Sequence, residues 1–204
     1  PEGHKLEKSI VLSRRGDKLT AQSSEAGTAM GVDVGALLHC TVSEPGENRR
    51  VLWSGTVVQF EDLDKLMARY NVKCCVIDAL PETRKAREFA DRHEGQVFLA
   101  YYSDPREGLR WDNDRHEVHV ARTEYIDTCY TRYFQNTIEL PADISDEFAT
   151  HHAALIRVLE ENSRGQMVAV YRRIADDHFA HSDVYCEIAS IGALSIPDFM
   201  YRSL

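Results

Sequence analysis

The stretch Met30-Gly31-Val32-Asp33-Val34-Gly35 sets a carboxylate in the middle of an apolar run bounded by glycines. Taking a carboxylate out of water is costly unless an ion partner or a metal compensates it. A second run, Lys73-Cys74-Cys75-Val76-Ile77-Asp78, is continuously apolar, as strands covered on both faces are, and it also ends on a carboxylate. A third segment, Ile174-Ala175-Asp176-Asp177, brings acids to the start of a helix. Hard divalent cations such as Mg²⁺ and Mn²⁺ take oxygen ligands. Converging carboxylates can hold two of them about 4 Å apart, one activating water and the other steadying the leaving oxygen of a phosphodiester. Asp33, Asp78 and Asp177 are therefore candidate catalytic and metal-ligating residues, and Asp176 is either a fourth ligand or a solvated neighbour. Asp177 would serve equally well as a helix N-cap, and Asp78 as a cap for the helix that follows it. Asp33, in mid-strand, has no such ready structural role. Asp183, two turns into the last helix, reads as a surface residue.

Working outward, residues 30–34, 38–43 and 50–59 are strand-like and separated by tight turns, which predicts an antiparallel meander. Residues 61–70 carry acids first and then Leu63, Leu66 and Met67 at helical spacing, the pattern of a short amphipathic helix. The strand at 73–78 is followed by a helix over 81–93, opened by proline and closed by Gly95, and by a strand over 96–102. This alternation assigns an α/β domain. Beyond a charged loop at 103–114 come a strand near Val118, a helix over 123–134, a brief strand at 137–140 and a helix from about 145. Residues 155–159 and 167–174 flank Glu160-Glu161-Asn162-Ser163-Arg164-Gly165, a turn that predicts a β-hairpin. Residues 177–194 close the domain as a helix with Val184, Ile188 and Ile191 on one face. Residues 1–27 are polar, with one strand expected at 9–13, and read as a leader or linker to a domain spanning 28–204.

A chain of 204 residues, 43% hydrophobic and 28% charged, is long enough for one substantial core. Its apolar runs fall far short of the roughly 20 residues a membrane span needs, and its polar start carries no secretion signal, so a cytosolic location is expected. The cysteines at 40, 74, 75, 129 and 186 lack C-x-x-C spacing and read as buried thiols. The net charge of −9 runs against nucleic-acid binding, although a cluster of metal-binding acids would itself raise the acidic count. Phosphate contact would then fall to local basic residues: Arg84, Lys85, Arg87 and Arg92 after the second acid, and Arg157, Arg164, Arg172 and Arg173 on or beside the hairpin. The alternative for these is an ordinary solvated face. His178, beside the acids, could orient a water or touch phosphate. It could also share zinc with His181, but no third histidine lies nearby in sequence. His116, His119, His151 and His152 read as surface or loop residues, and Trp53 and Trp111 as core and loop aromatics.

Five pieces occur in order: Met30-Gly-Val-Asp-Val-Gly-x-x-x-His39, Cys75-Val-Ile-Asp-Ala-x-Pro-Glu-Thr-Arg-Lys-Ala-Arg87, Ala121-Arg-Thr-Glu-x-x-Asp127, Ile138-x-Leu-Pro141 and Asp177-His-Phe-Ala-His-Ser-x-x-Tyr185. Together, over about residues 28–195, they resemble the nuclease domain of phage terminase large subunits. The resemblance implies an RNase H-like fold related to Holliday-junction resolvases, with a central mixed β-sheet flanked by helices and an extra β-hairpin. It implies cleavage of concatemeric double-stranded DNA during genome packaging by two Mg²⁺ or Mn²⁺ ions, in the host cytoplasm. The implied partners are double-stranded DNA, a terminase ATPase domain, the portal and the small terminase subunit. Asp33, Asp78 and Asp177 carry over as the metal-binding acids, with Asp176 joining them. Nothing matches G-x-x-x-x-G-K-[ST], so the ATPase of a full large subunit does not carry over. One rival is an actin-like or sugar-kinase-like ATPase, suggested by Gly31-Val-Asp-Val-Gly35. It lacks the Thr or Ser expected after the second glycine, where Ala36-Leu37-Leu38 stands. The other is a non-catalytic DNA- or portal-docking module, which loss of an acid would indicate, yet all three acids are present.

Overall fold

Strand and helix alternate along the chain as α1 (Lys8–Leu12), β1 (Thr28–Val34), β2 (Leu38–Glu44), β3 (Arg49–Val57), α2 (Phe60–Arg69), β4 (Val72–Asp78), α3 (Thr83–Arg92) and β5 (Val97–Tyr102). They continue as β6 (Leu109–Asp112), β7 (Glu117–Val120), α4 (Arg122–Gln135), β8 (Ile138–Glu139), α5 (Asp146–His152), β9 (Leu155–Glu161), β10 (Met167–Arg173) and α6 (His178–Ser195). The structure is a computed structural model describing residues 5–103 and 108–195. Residues 1–4 of the polar leader, 104–107 of the charged loop and 196–204 lie outside the described residues.

Eight strands form one mixed sheet in the order β6-β7-β5-β4-β1-β2-β3-β8, and β9 with β10 forms the expected separate hairpin. The meander β1-β2-β3 is antiparallel, while β4 lies parallel beside β1, with β5 and β7 parallel beyond it. Side chains alternate across each strand. In β1, Met30, Val32 and Val34 face one core with α2 and α3, whereas Ala29 faces the other with α4, α5 and α6. A Cβ added at Gly31 would lie 2.0 Å from the Ser182 carbonyl oxygen and 2.1 Å from the Cys186 nitrogen. The glycine therefore lets α6 rest directly on β1, and the helix axis is fixed over the strand that carries Asp33.

Helix α6 departs from the single apolar face expected of it. The sheet covers one side and α4 and α5 press from the other, so Ser182, Asp183, Val184, Cys186, Glu187 and Ile188 are all buried. Asp183 is thus no surface residue. Its carboxylate meets Arg49 Nη2 at 2.7 Å, His152 Nε2 at 2.9 Å and the Tyr133 hydroxyl at 2.7 Å. Glu187 takes Arg49 Nε at 2.9 Å and Arg132 Nε at 2.7 Å. Burial alone would raise the Asp183 pKa, but Arg49 and the hydrogen bonds from His152 and Tyr133 hold it well below the usual carboxylate range. His151 and His152 are buried on α5, against the expectation of surface residues.

Three local readings also change. The strand expected at 9–13 is the helix α1, because packing of Leu6 and Val11 into the core overrides the β-branched character of Ile10 and Val11. The described part of the polar leader is tied to the domain by Gly16 N to Leu140 O at 2.8 Å and Ala21 N to Leu52 O at 2.9 Å. The charged loop contains β6, whose Trp111 packs edge-on against Phe98 at 4.9 Å. The helix expected from Pro81 begins at Thr83. The five cysteines are buried thiols, as expected.

Candidate active site at the ends of β1 and β4

Parallel pairing of Val32 with Ile77 sets the next residues, Asp33 and Asp78, abreast at the carboxyl ends of neighbouring strands. Alternation puts both on the α6 side of the sheet. Antiparallel pairing sets His39 opposite Asp33 on the same face. Above them, the connection from β10 delivers Asp177 and the first residue of α6, His178. Three chain segments far apart in sequence thus converge at one edge, each through residues at or beside the end of a regular element.

Asp33, 7% exposed, receives His178 Nδ1 on Oδ2 at 2.9 Å. The His178 ring stacks on His39, with centroids 4.7 Å apart and planes at 19°. One donor atom each from Asp33, His39 and His178 lie within 4.8 Å of one another. The hydrogen bond to Asp33 raises the His178 pKa, whereas burial, then the neighbouring His178, lowers that of His39. Burial pushes Asp78 up to about 6, aided by the Asp33 charge and opposed by the Leu80 N–H, which it accepts at 3.1 Å. Asp177 is also buried, but His181 on Oδ2 at 3.1 Å and Arg173 near Oδ1 at 3.6 Å outweigh burial and lower its pKa. Asp176 is exposed.

These features suit a bound cation. Two carboxylates side by side in a desolvated edge repel, and one of them resists ionisation until positive charge arrives. His39 Nδ1 is buried and has no hydrogen-bond partner among the described residues. Asp33, Asp78 and Asp177 supply hard oxygen donors, and His39 and His178 supply nitrogen. The tightest group is Asp33, His39 and His178, with Asp78 beside Asp33 in the sheet and Asp177 in contact with His181 and Arg173.

The basic residues expected to touch phosphate are mostly engaged locally. Arg84 pairs with Glu88 at 3.0 Å, Lys85 with Glu82 at 3.6 Å, Arg87 with Glu117 at 2.7 Å and Arg92 with Asp64 at 3.0 Å. Arg157 pairs with Asp127 at 3.0 Å and Arg172 with Glu160 at 2.5 Å. Arg164 sits exposed in the hairpin turn, its backbone N–H bonded to Asn162. Of the set, Arg173 and His178 reach the acids. Sequence reading passed over His39 as a site residue, although a hairpin turning about Ala36 pairs residue 33 with residue 39 by symmetry alone.

No family model and no curated protein matches the sequence. Among solved structures, the chain is similar to the large terminase nuclease of thermophilic phage G20c with bound magnesium, at TM-score 0.57 and 13% identity, covering 86% of this chain and 88% of that one. It is likewise similar to the Thermus phage P74-26 large terminase nuclease domain, at TM-score 0.56 and 13% identity over 85% of each chain. A third match, the large terminase of another thermophilic bacteriophage, has TM-score 0.53 and 13% identity, covering 90% of this chain and 44% of that one. The chain therefore has the fold of phage large-terminase nuclease domains, and the RNase H-like mixed sheet flanked by helices is the architecture observed.

Proposed function

We propose that this protein is a Mg²⁺- or Mn²⁺-dependent endonuclease that cleaves double-stranded concatemeric phage DNA during genome packaging, using two metal ions. The observation that carries the reading is the placement of Asp33 and Asp78 abreast at the ends of adjacent parallel strands, with Asp177 at the entry to α6 above them. Among the proteins of similar fold, the phage G20c nuclease was solved with magnesium and with cobalt bound, which supports divalent-metal chemistry on this scaffold.

In this reading Asp33, Asp78 and Asp177 hold the cations, joined by Asp176. Divalent ions held there supply Lewis acidity, easing loss of a proton from water and offsetting charge on the phosphodiester. His178 keeps Asp33 Oδ2 in one orientation through its 2.9 Å contact. Arg173, with a side chain 59% exposed beside Asp177, faces solvent where a phosphate would arrive. Arg84, Lys85, Arg87, Arg157, Arg164 and Arg172 contribute a diffuse field along the approaching duplex, damped by their acidic partners. Such contacts position the backbone without reading sequence, so weak sequence preference is expected. The reading includes action in the host cytoplasm together with a terminase ATPase domain, the portal and the small subunit. Among the described residues no helix is long and apolar enough to cross a membrane.

The test is plasmid cleavage. The chain is expected to nick or linearise supercoiled DNA in Mn²⁺ or Mg²⁺ and to stop in EDTA. Full activity in Asp33→Asn or Asp78→Asn would overturn the site assignment, and ATP hydrolysis without nucleolysis would favour the kinase-like reading.

A further inference from the structure

Asp33 and Asp78 are aimed by the strands that carry them, but Asp177 is not. It lies between β10 and α6, outside either element, and its direction depends on side-chain partners. One of these, Arg173, is exposed and 3.6 Å away, a weak restraint. The other, His181, is enclosed, with a side chain 12% exposed, and both its ring nitrogens are engaged. Nε2 lies 3.1 Å from Asp177 Oδ2 and Nδ1 lies 3.0 Å from the Tyr102 hydroxyl.

Chemistry sets the direction of these bonds. A neutral imidazole facing a carboxylate places its one proton on that side, so Nε2 donates to Asp177 and Nδ1 accepts from Tyr102. Tyr102 ends β5, the strand beyond β4, and comes from neither segment that carries a strand acid. Its ring is fixed by stacking on Tyr185 at 6.1 Å and by the Arg122 guanidinium 5.7 Å from its centroid. Tyr185, against which Tyr102 stacks, also acts to lower the Asp78 pKa against the effect of burial. Two consecutive side-chain hydrogen bonds therefore tie one acid of the site to a third strand.

We propose that His181 and Tyr102 are positioning residues that fix the Asp177 carboxylate toward a cation. The proposal rests on the metal-site reading above. It makes Tyr102, a residue with no ligating role, a determinant of metal affinity.

The experiment is calorimetric titration of Mn²⁺ into DNA-free protein, with thermal melting in EDTA, for wild type, Tyr102→Phe, His181→Leu and His181→Gln. Tyr102→Phe keeps the stacked ring and is expected to weaken Mn²⁺ binding about tenfold, as loss of a residue orienting a metal ligand typically does. Its metal-free melting temperature should match wild type. His181→Leu should lose at least as much, while His181→Gln, whose amide can both donate and accept, should stay within about threefold of wild type. Wild-type Mn²⁺ affinity in Tyr102→Phe overturns the proposal, as does equal loss in His181→Gln and His181→Leu. If His181→Leu fails to fold, Tyr102→Phe decides alone. A wild-type chain that binds Mn²⁺ without cutting DNA would sink the nuclease reading and leave this one standing. Absence of Mn²⁺ binding by the wild type would overturn both.

Discussion

Helix α6 carries buried acids at its body and meets others at its entry. In its second and third turns, Asp183 and Glu187 are enclosed with Arg49, Arg132, His152 and Tyr133, and each carboxylate is met by an arginine. At its entry, Asp177 joins Asp33 and Asp78, where the partners are imidazoles, one distant arginine and another acid. Burial is common to both regions, so burial alone does not mark a site. What separates them is charge compensation: in one cluster arginines face each carboxylate, although Arg49 Nη1 has no hydrogen-bond partner among the described residues, and the other holds more negative charge than its own residues answer.

The largest effect expected from this contrast is on stability. Arg49→Met removes the cation shared by Asp183 and Glu187, and breaking a buried pair in this way costs about 3–5 kcal/mol. Urea unfolding checks it, and a tolerated substitution would erase the distinction between the regions. Next, Asp33→Asn should lower DNA cleavage by at least about a hundredfold, roughly 2.7 kcal/mol in the barrier. It should leave metal-free stability unchanged or higher, because it removes charge from the under-compensated edge. The wild type should gain about 2.7 kcal/mol at Mn²⁺ a hundredfold above its Kd, and the variant should not.

A third test uses pH. The folded Asp78 pKa is raised from 3.8 to about 6, so the folded state holds this proton more tightly than the unfolded chain. The contribution is full below the unfolded value and is lost as pH rises from about 4 through about 6. The metal-free wild type should therefore lose stability relative to Asp78→Asn across that window, and the gap should close when Mn²⁺ is added at neutral pH. Parallel curves would mean that the edge is not short of positive charge. The smallest effect belongs to the solvated face: Arg84→Ala, which breaks an exposed pair with Glu88, should cost no more than about 0.5 kcal/mol. If Arg84 meets phosphate, the slope of log DNA affinity against log salt should also fall by about one.

Much of this was legible in the sequence. Strand-like runs separated by tight turns gave the meander, a continuous apolar run gave β4, and the turn at 160–165 gave the hairpin. Asp33 stood out because a mid-strand carboxylate has no local explanation. Asp183 did not, because its explanation is distant: Arg49 is 134 residues away and the helical pattern around Asp183 does not reveal a second covering layer. His151 and His152 were hidden for the same reason. β6 was masked by the charge around it, and α1 by side chains whose local preference is for strands.

The seating of α6 on Gly31 also bears on when the site comes into being. Asp33 and His178 are 145 residues apart, and the acids meet only when the last helix docks on the first strand of the sheet. Closing contacts of such long range costs loop entropy and slows folding. During synthesis, the strands that carry Asp33 and Asp78 are made while the third acid and both α6 histidines are still unmade. Under the proposed nuclease reading, a chain interrupted before α6 would lack Asp177 and His178 and be unable to cut.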